Sequence, residues 1–377
     1  MTLVIDGTNG VTLPDSTAYY TAASFGWRNK IINGAMVIDQ RNAGASVTQT
    51  TSTTYTVDRW ASYGTVTSKF TAQQNAGSVT PPAGYSNYLG CTSSSAYAIT
   101  STDRFQIAQP IEGYNMADLA WGTASAKSVT LSFQVYSSLT GTFGGAVFNY
   151  NGSRSYPFSY TISSANTWTS ISVTIAGDTT GTWFQSGSPN AVGLNVCFSL
   201  GAGSTLSGTA GAWAGAFYVS ATGATSVVGT NGATFYITGV QLERGTVATP
   251  FEYRNYQQEL AMCQRYFERS YDIGTASGTA STGPSAAYQY ITASGAGGTG
   301  QLTIPMKVTK RAAPTVTIYS IGTSGASGYV YDYTSSSDKA ASTQFVGTNA
   351  FVGYATTLQV GVNAYNWGFQ WTATAEL

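Results

Sequence analysis

The chain has 377 residues, 42% hydrophobic and 13% aromatic, which is enough to build packed cores in two or three domains. Only 8% are charged, sixteen basic against sixteen acidic with no block of like charge, which removes the electrostatic footprint of a nucleic-acid or anionic-membrane binder. Histidine is absent, and Ser-His-Asp or Cys-His catalysis and histidine-liganded metal go with it.

Taken in chain order, residues 1–34 carry turn signals at Asp6-Gly7, Asn9-Gly10 and Pro14-Asp15 and too little apolar mass to fold alone. They read as an attachment segment ordered against a partner. The opening lacks the basic and apolar regions of a signal peptide, and no run of about 18 apolar residues is present to cross a bilayer, so synthesis and folding in a cytoplasm are expected.

Residues 35–253 are dominated by two-residue alternation. Val129, Leu131, Phe133 and Val135 interleave with Thr130, Ser132 and Gln134; Ile171, Val173 and Ile175 interleave with Ser172 and Thr174. Leu194, Val196, Phe198 and Leu200 repeat the pattern, and each run predicts a half-buried strand. Glycine-rich stretches at 141–145 and 201–204 separate them, with no amphipathic helices between, so the expected architecture is all-β, an antiparallel jelly-roll-like sandwich.

Residues 254–270 predict the one helix, starting near Tyr256 and running to about Arg269, with Tyr256, Leu260, Cys263 and Phe267 on one stripe. That stripe suits a strut under the sandwich or an axial contact between subunits of an oligomer. At four turns it is too short to act as a coiled coil alone. Residues 271–377 return to strand character through Leu302, Ile304 and Met306, then Val316 and Ile318, then Trp367, Phe369 and Trp371, a smaller C-terminal β domain. The two tryptophans share a face and read as core.

Little in the sequence offers chemistry. Cys91, Cys197 and Cys263 are far apart and are expected as free thiols, with neither a zinc site nor a disulfide framework. Asp58, Asp103, Glu112, Asp118 and Asp178 are the carboxylates from which a glycosidase pair would be drawn. Set against that, Asp58 reads as a partner of Arg59 and Asp178 as a turn cap in the segment 177–181. No catalytic residue, cofactor or metal is expected, and calcium lacks the Asp-x-Asp-x-Asp run that would hold it. The segment GYVYDYTSS (328–336) places Tyr329, Tyr331 and Tyr333 among Gly, Ser and Asp, either as rings of a glycan-binding loop or as half-buried rings of a plain hairpin.

Several blocks in order carry a resemblance: RNKIINGAMVIDQRNAG (28–44), YTVDRW (55–60), LTGTFGG (139–145), SYPF (155–158), IAGDTTGTW (175–183), LGAGS (200–204), TGVQLE (238–243), TPFE (249–252) and CQRYF (263–267). Over roughly residues 25–270 the chain resembles a family of tailed-phage and prophage tail-fibre-like virion proteins. IDGTNG (5–10), AAPTV (312–316) and WTATAEL (371–377) extend the likeness to both ends. The resemblance implies a virion protein, a sandwich similar to carbohydrate-binding modules, a homotrimer, an N-terminal contact to other virion proteins and attachment to a host-surface glycan. The expected role is a tail fibre or fibre-tip adhesin, with a capsid head fibre or cement protein as the alternative and a polysaccharide-degrading tailspike behind both.

Overall fold

The computed structural model describes residues 27–183, 188–280, 286–291, 298–322, 324–358 and 365–377, together with three short strands ahead of them. Those strands, β1 (Val4–Asp6), β2 (Gly10–Thr12) and β3 (Ala18–Tyr19), form an antiparallel sheet. Asp6 and Gly10 of the expected turns end β1 and open β2, while the rest of the expected attachment segment up to residue 26, with Gly7, Asn9, Pro14 and Asp15, lies outside the described residues.

Between residues 47 and 112 run β4 (Val47–Thr48), β5 (Thr54–Tyr55), β6 (Ala61–Gly64), β7 (Phe70–Gln74), β8 (Leu89–Ser93) and β9 (Arg104–Glu112). There follow β10 (Val129–Ser137), β11 (Gly141–Asn149), β12 (Ser155–Ile162), β13 (Thr169–Ile175) and β14 (Val192–Ala202). A short parallel pair, β15 (Ser207–Gly208) and β16 (Ser220–Ala221), precedes β17 (Thr234–Arg244). The long strands make two six-stranded antiparallel sheets: a front sheet in the order β13-β10-β17-β8-β7-β4 and a back sheet in the order β12-β11-β14-β9-β6-β5. Leu131, Phe133 and Val135 of β10 meet Phe143, Phe158 and Phe198 of the back sheet in one core, because period-2 alternation sends every second side chain inward. The all-β sandwich expected from alternation is the fold.

Two boundaries differ from expectation. Ile31, Ile32 and Asn33, assigned to the attachment segment, are buried; Ile31 joins the sandwich core, and the Asn33 side chain donates to the backbone of Ile38 and Asp58. The glycine-rich stretch 141–145 is strand, not separator. A Cβ on Gly145 would stand 2.3 Å from the Cys197 carbonyl, and one on Gly144 would stand 2.6 Å from Ser220 Oγ. Glycine serves close packing there.

The helix α1 (Tyr256–Gln264) is shorter than expected. Asn255 caps it by accepting from the Gln257 amide at 2.8 Å. Phe267 therefore does not continue the helical stripe; it opens β18 (Phe267–Arg269), whose pairing with the C-terminal strand takes the backbone bonds a longer helix would have used. Cys263 is buried beside Ile32, Ile38 and Tyr266, with Leu260 packed against them, while Tyr256 stays 43% exposed. Leu260 and Cys263 are thus occupied inside one chain, which corrects the reading of all four as an oligomer stripe and favours the strut.

The C-terminal sheet adds β19 (Ala287–Ile291), β20 (Gly298–Pro305), β21 (Thr315–Ser320), β22 (Tyr329–Asp332), β23 (Ser337–Gln344), β24 (Ala350–Leu358) and β25 (Tyr365–Thr374). Its path is β18-β25-β22-β23-β24-β20, with β19 and β21 also paired to β25. Trp367 and Trp371 are buried in its core, as alternation predicts.

Charged groups lock the sandwich, α1 and this sheet together. Arg59 bonds Glu376 and donates to the Pro110 carbonyl at 2.5 Å, with its guanidinium 3.6 Å over the Tyr266 ring. Arg41 also reaches Glu376, at 2.7 Å, and lies 3.7 Å over Phe267. Glu112 accepts from Arg265 twice and from Tyr266 at 2.7 Å.

Candidate functional site

The outward face of β10 and β13 is polar because the inward face takes the aliphatics. Register pairs Thr130 with Thr174, Ser132 with Ser172 and Gln134 with Ser170. On this strip lies a groove of about 290 Å³ lined by Tyr85, Ser132, Gln134, Ser170, Thr249 and Phe251 among others. Gln134 and Ser170 hydrogen-bond each other, with contacts of 2.8 and 2.9 Å. One end is closed where Thr130 and Thr174 each donate, at 3.0 Å, to the carbonyls of Gly245 and Thr246.

The side wall is aromatic. Tyr85, Phe251 and Tyr253 form a triangle with ring centroids 5.0–5.7 Å apart, and Tyr253 is 60% exposed. Tyr85 fits there because β17 bulges against β10 at Gly239, where φ is +61°. Burial, and then the Tyr253 hydroxyl, hold the Tyr85 phenol above its ordinary value. Beyond Gln134 the strip ends in a second aromatic group: Tyr136 stacks on Tyr236 at 5.3 Å, and Trp168 sits 5.5 Å from both Tyr136 and Tyr88. Rings bounding a field of hydroxyls and one amide can stack on an apolar face while hydrogen-bonding polar edges.

The sequence displays the hydroxyl strip but not its walls: Ser172 was visible opposite Ile171 and Val173, whereas Tyr85 and Phe251 come from loops far from β10 in sequence. The TPFE block does contain Thr249 and Phe251, and that was the signal available.

The three predicted tyrosines stand on the β22–β23 hairpin. Tyr329 is 42% and Tyr333 37% exposed; Tyr331 is half-buried, its ring edge-on to Tyr333 at 4.8 Å. Asp332 shapes the turn after them by accepting from the Thr334 amide at 2.9 Å and the Ser335 hydroxyl at 3.0 Å. The hairpin thus brings two of the three rings together and displays two.

The five carboxylates weighed for catalysis hold structure. Asp58 is not paired with Arg59; it is buried and accepts from the Gln40 amide at 2.6 Å and side chain at 2.8 Å. Burial raises its pKa to about 6 against the opposing pull of Arg41 and of those two bonds. Burial would also raise Asp103, but bonds from Thr100, Thr65 and Tyr97 prevail and bring it down to about 2. Asp178 caps its turn through Thr180, as expected, and also takes a bidentate bond from Arg154. Glu112 is spent on Arg265 and Tyr266, and Asp118 pairs with Lys30 at 2.6 Å. The cysteines are buried and free. Among the described residues no group of three or more His, Cys, Asp or Glu is placed to hold a metal ion, and no helix is long and apolar enough to cross a membrane.

A larger cavity, of about 550 Å³, lies between α1 and the C-terminal sheet, lined by Leu260, Arg269, Tyr271, Lys307 and Trp371 among others. Its aromatics, Tyr271 and Trp371, are each 4% exposed, and Arg269 is spent on the carbonyls of Asp272 and Thr275. It presents no aromatic face.

No protein-family model and no curated protein matches the chain. Among solved structures it is similar to the enzymatically active domain of a tailspike protein of bacteriophage CBA120, at 13% identity and a TM-score of 0.31, covering 58% of this chain and 21% of that one. A family 11 carbohydrate-binding module from Clostridium thermocellum in complex with a mixed-linked tetrasaccharide matches at 11% identity and a TM-score of 0.27, over 51% of this chain and 92% of the module. The module TmCBM61 in complex with beta-1,4-galactotriose matches at 10% identity and a TM-score of 0.29, over 58% of this chain and 100% of the module.

Proposed function

We propose that this protein is a non-enzymatic adhesive subunit of a tailed-phage virion, a tail fibre or fibre tip that binds a host-surface glycan through the front-sheet groove. The groove carries the reading: a strip of hydroxyls and one amide, walled by Tyr85 and Phe251 with Tyr253 packed against both rings, is built to stack on and hydrogen-bond a sugar chain. The engagement of Asp58, Asp103, Glu112, Asp118 and Asp178 in structural bonds, in a chain without histidine, supports binding without cleavage. Virion membership rests on the ordered sequence blocks that resemble tail-fibre-like proteins. Tyr329 and Tyr333 form a second contact on the C-terminal hairpin.

The test is binding of the purified protein to host surface polysaccharide. Tyr85→Ala and Phe251→Ala should each weaken it by about 1 kcal/mol or more, as loss of an aromatic contact does, with the polysaccharide chains left at their original length. Binding untouched by both changes would remove the groove from the reading, and shortened chains would make the protein a tailspike-type enzyme. Replacing Tyr329, Tyr331 and Tyr333 together by Ala should lower adsorption of virions without affecting their assembly. Subnanometre imaging of particles should find the chain on the tail; density on capsomers would make it a head fibre. Light scattering should give a trimer.

A further inference from the structure

We infer that the front-sheet groove takes an uncharged oligosaccharide laid along β10 and β13, an inference that rests on the groove reading above. Among the described residues that line it there is no Lys, Arg, Asp or Glu; the polar groups are hydroxyls, backbone and the Gln134 amide. A carboxylate or ammonium brought onto the groove side of Tyr85 and Phe251 would shed water with no counter-charge in the groove lining to meet, which is costly. Arg254 and Glu259 line a separate pocket on the other side of those rings. Tyr85 supplies none, since its phenol is held protonated by burial and by Tyr253.

A buried carboxylate bonded to the groove residue Thr249 strengthens the selection. Glu243 lies behind the groove wall, 2% exposed, and accepts from the Thr249 amide at 2.8 Å, the Thr249 hydroxyl at 2.7 Å and the Gln241 side chain at 2.8 Å. Its carboxylate therefore opposes an anionic ligand, while burial and three internal bonds hold it back from reaching a cation in the groove. Thr249 gives its hydroxyl proton to Glu243 and accepts from the Gln241 amide at 3.3 Å, which leaves one lone pair to accept from a ligand hydroxyl. Gln134 and Ser170 occupy each other and leave one amide N–H of Gln134 as a donor. Neutral sugar hydroxyls, which both give and take, match that set.

Length follows from strand geometry. The rung Ser132–Ser172 and the ring of Tyr136 are four residues apart along β10, or about 13 Å, more than one sugar ring spans. Trp168 marks the far end and is fixed by donating its indole N–H to the Thr80 carbonyl at 2.9 Å.

The experiment is an array of neutral, uronic-acid and glucosamine oligosaccharides of graded length, probed with the full chain and with its Tyr85→Ala and Gln134→Ala variants, each first checked for an unchanged thermal midpoint. Neutral oligomers should be retained, with affinity that rises with length, falls about tenfold in Tyr85→Ala and changes little with salt. Tyr85-dependent retention of the uronic-acid or glucosamine oligomers, or an affinity that collapses as salt is raised, would overturn the inference and leave the groove reading standing. Retention of no oligomer, or retention by both variants as strong as by the native chain, would overturn the reading and the inference with it.

Discussion

Gly239 sits where β17 slips against β10, in a left-handed conformation that other residues adopt at a cost of about 1–2 kcal/mol. A Cβ there would stand 2.5 Å from the Tyr85 hydroxyl. Gly239→Ala should therefore do two things at once: lower stability by about 1 kcal/mol or more and displace Tyr85 from the groove wall. Thermal melting and glycan binding measured on the same variant check this, and a melt that drops while binding stays intact would show that Tyr85 is dispensable. At this scale the sequence was partly legible. The alternation of β10 exposed Ser132 and Gln134, and the turn signal at 177–181 pointed to the capping role that Asp178 has. The partner of Asp58 was not legible, because Arg59 is adjacent in sequence yet turns away to Glu376 while Gln40 comes in from a loop.

Elements were read best where a single period dominates. β10 and β13 follow their alternation, since a one-residue slip would have turned each apolar set to solvent. β14, expected half-buried, is covered on both faces, with Cys197 and Ser199 buried opposite Leu194, Val196 and Phe198, and β25 likewise buries Gln370 and Thr372. The helix was over-read because Tyr266 and Phe267 are apolar at helical spacing and equally suited to a strand, and the competing strand partner lies a hundred residues on. Just after α1, Glu268 and Lys310 form an ion pair at 2.5 Å with both side chains fully buried, and Lys310 also donates to the Gln264 and Val308 carbonyls. Lys310→Met leaves Glu268 charged and unpaired and should cost about 3–5 kcal/mol. Adding Glu268→Gln should restore much of that loss; chemical denaturation of the single and double variants decides it, and equal losses in both would show that packing, not charge, is at stake.

The whole molecule is held at one junction, and that junction is sensitive to pH. Asp58 bonds Gln40, and the Gln40 side chain in turn donates at 3.0 Å to the carbonyl of Phe267 in β18. The folded pKa of Asp58, about 6, lies above the ordinary 3.8. The folded state thus holds the proton more firmly, and this group's contribution is greatest below 3.8 and is lost as pH rises through about 6. The difference is on the order of 2–3 kcal/mol. Asp58→Asn should flatten the stability profile across that window relative to the native protein, and parallel profiles would refute it. None of this was legible beforehand, since the groups that meet at the junction come from residues 40–59, 112, 265–268 and 376.

The sheet beyond the junction has a temporal consequence. β18, β19, β21 and β22 all pair with β25, which follows them in the chain. While a ribosome is still making residues 267–360, the sandwich strands are complete and free to pair, but those four strands have no common neighbour. The C-terminal sheet, and the anchoring of Arg41 and Arg59 on Glu376, can close only after β25 emerges. A chain cut short there would carry a folded sandwich and an unpaired set of strand edges, the form most exposed to aggregation.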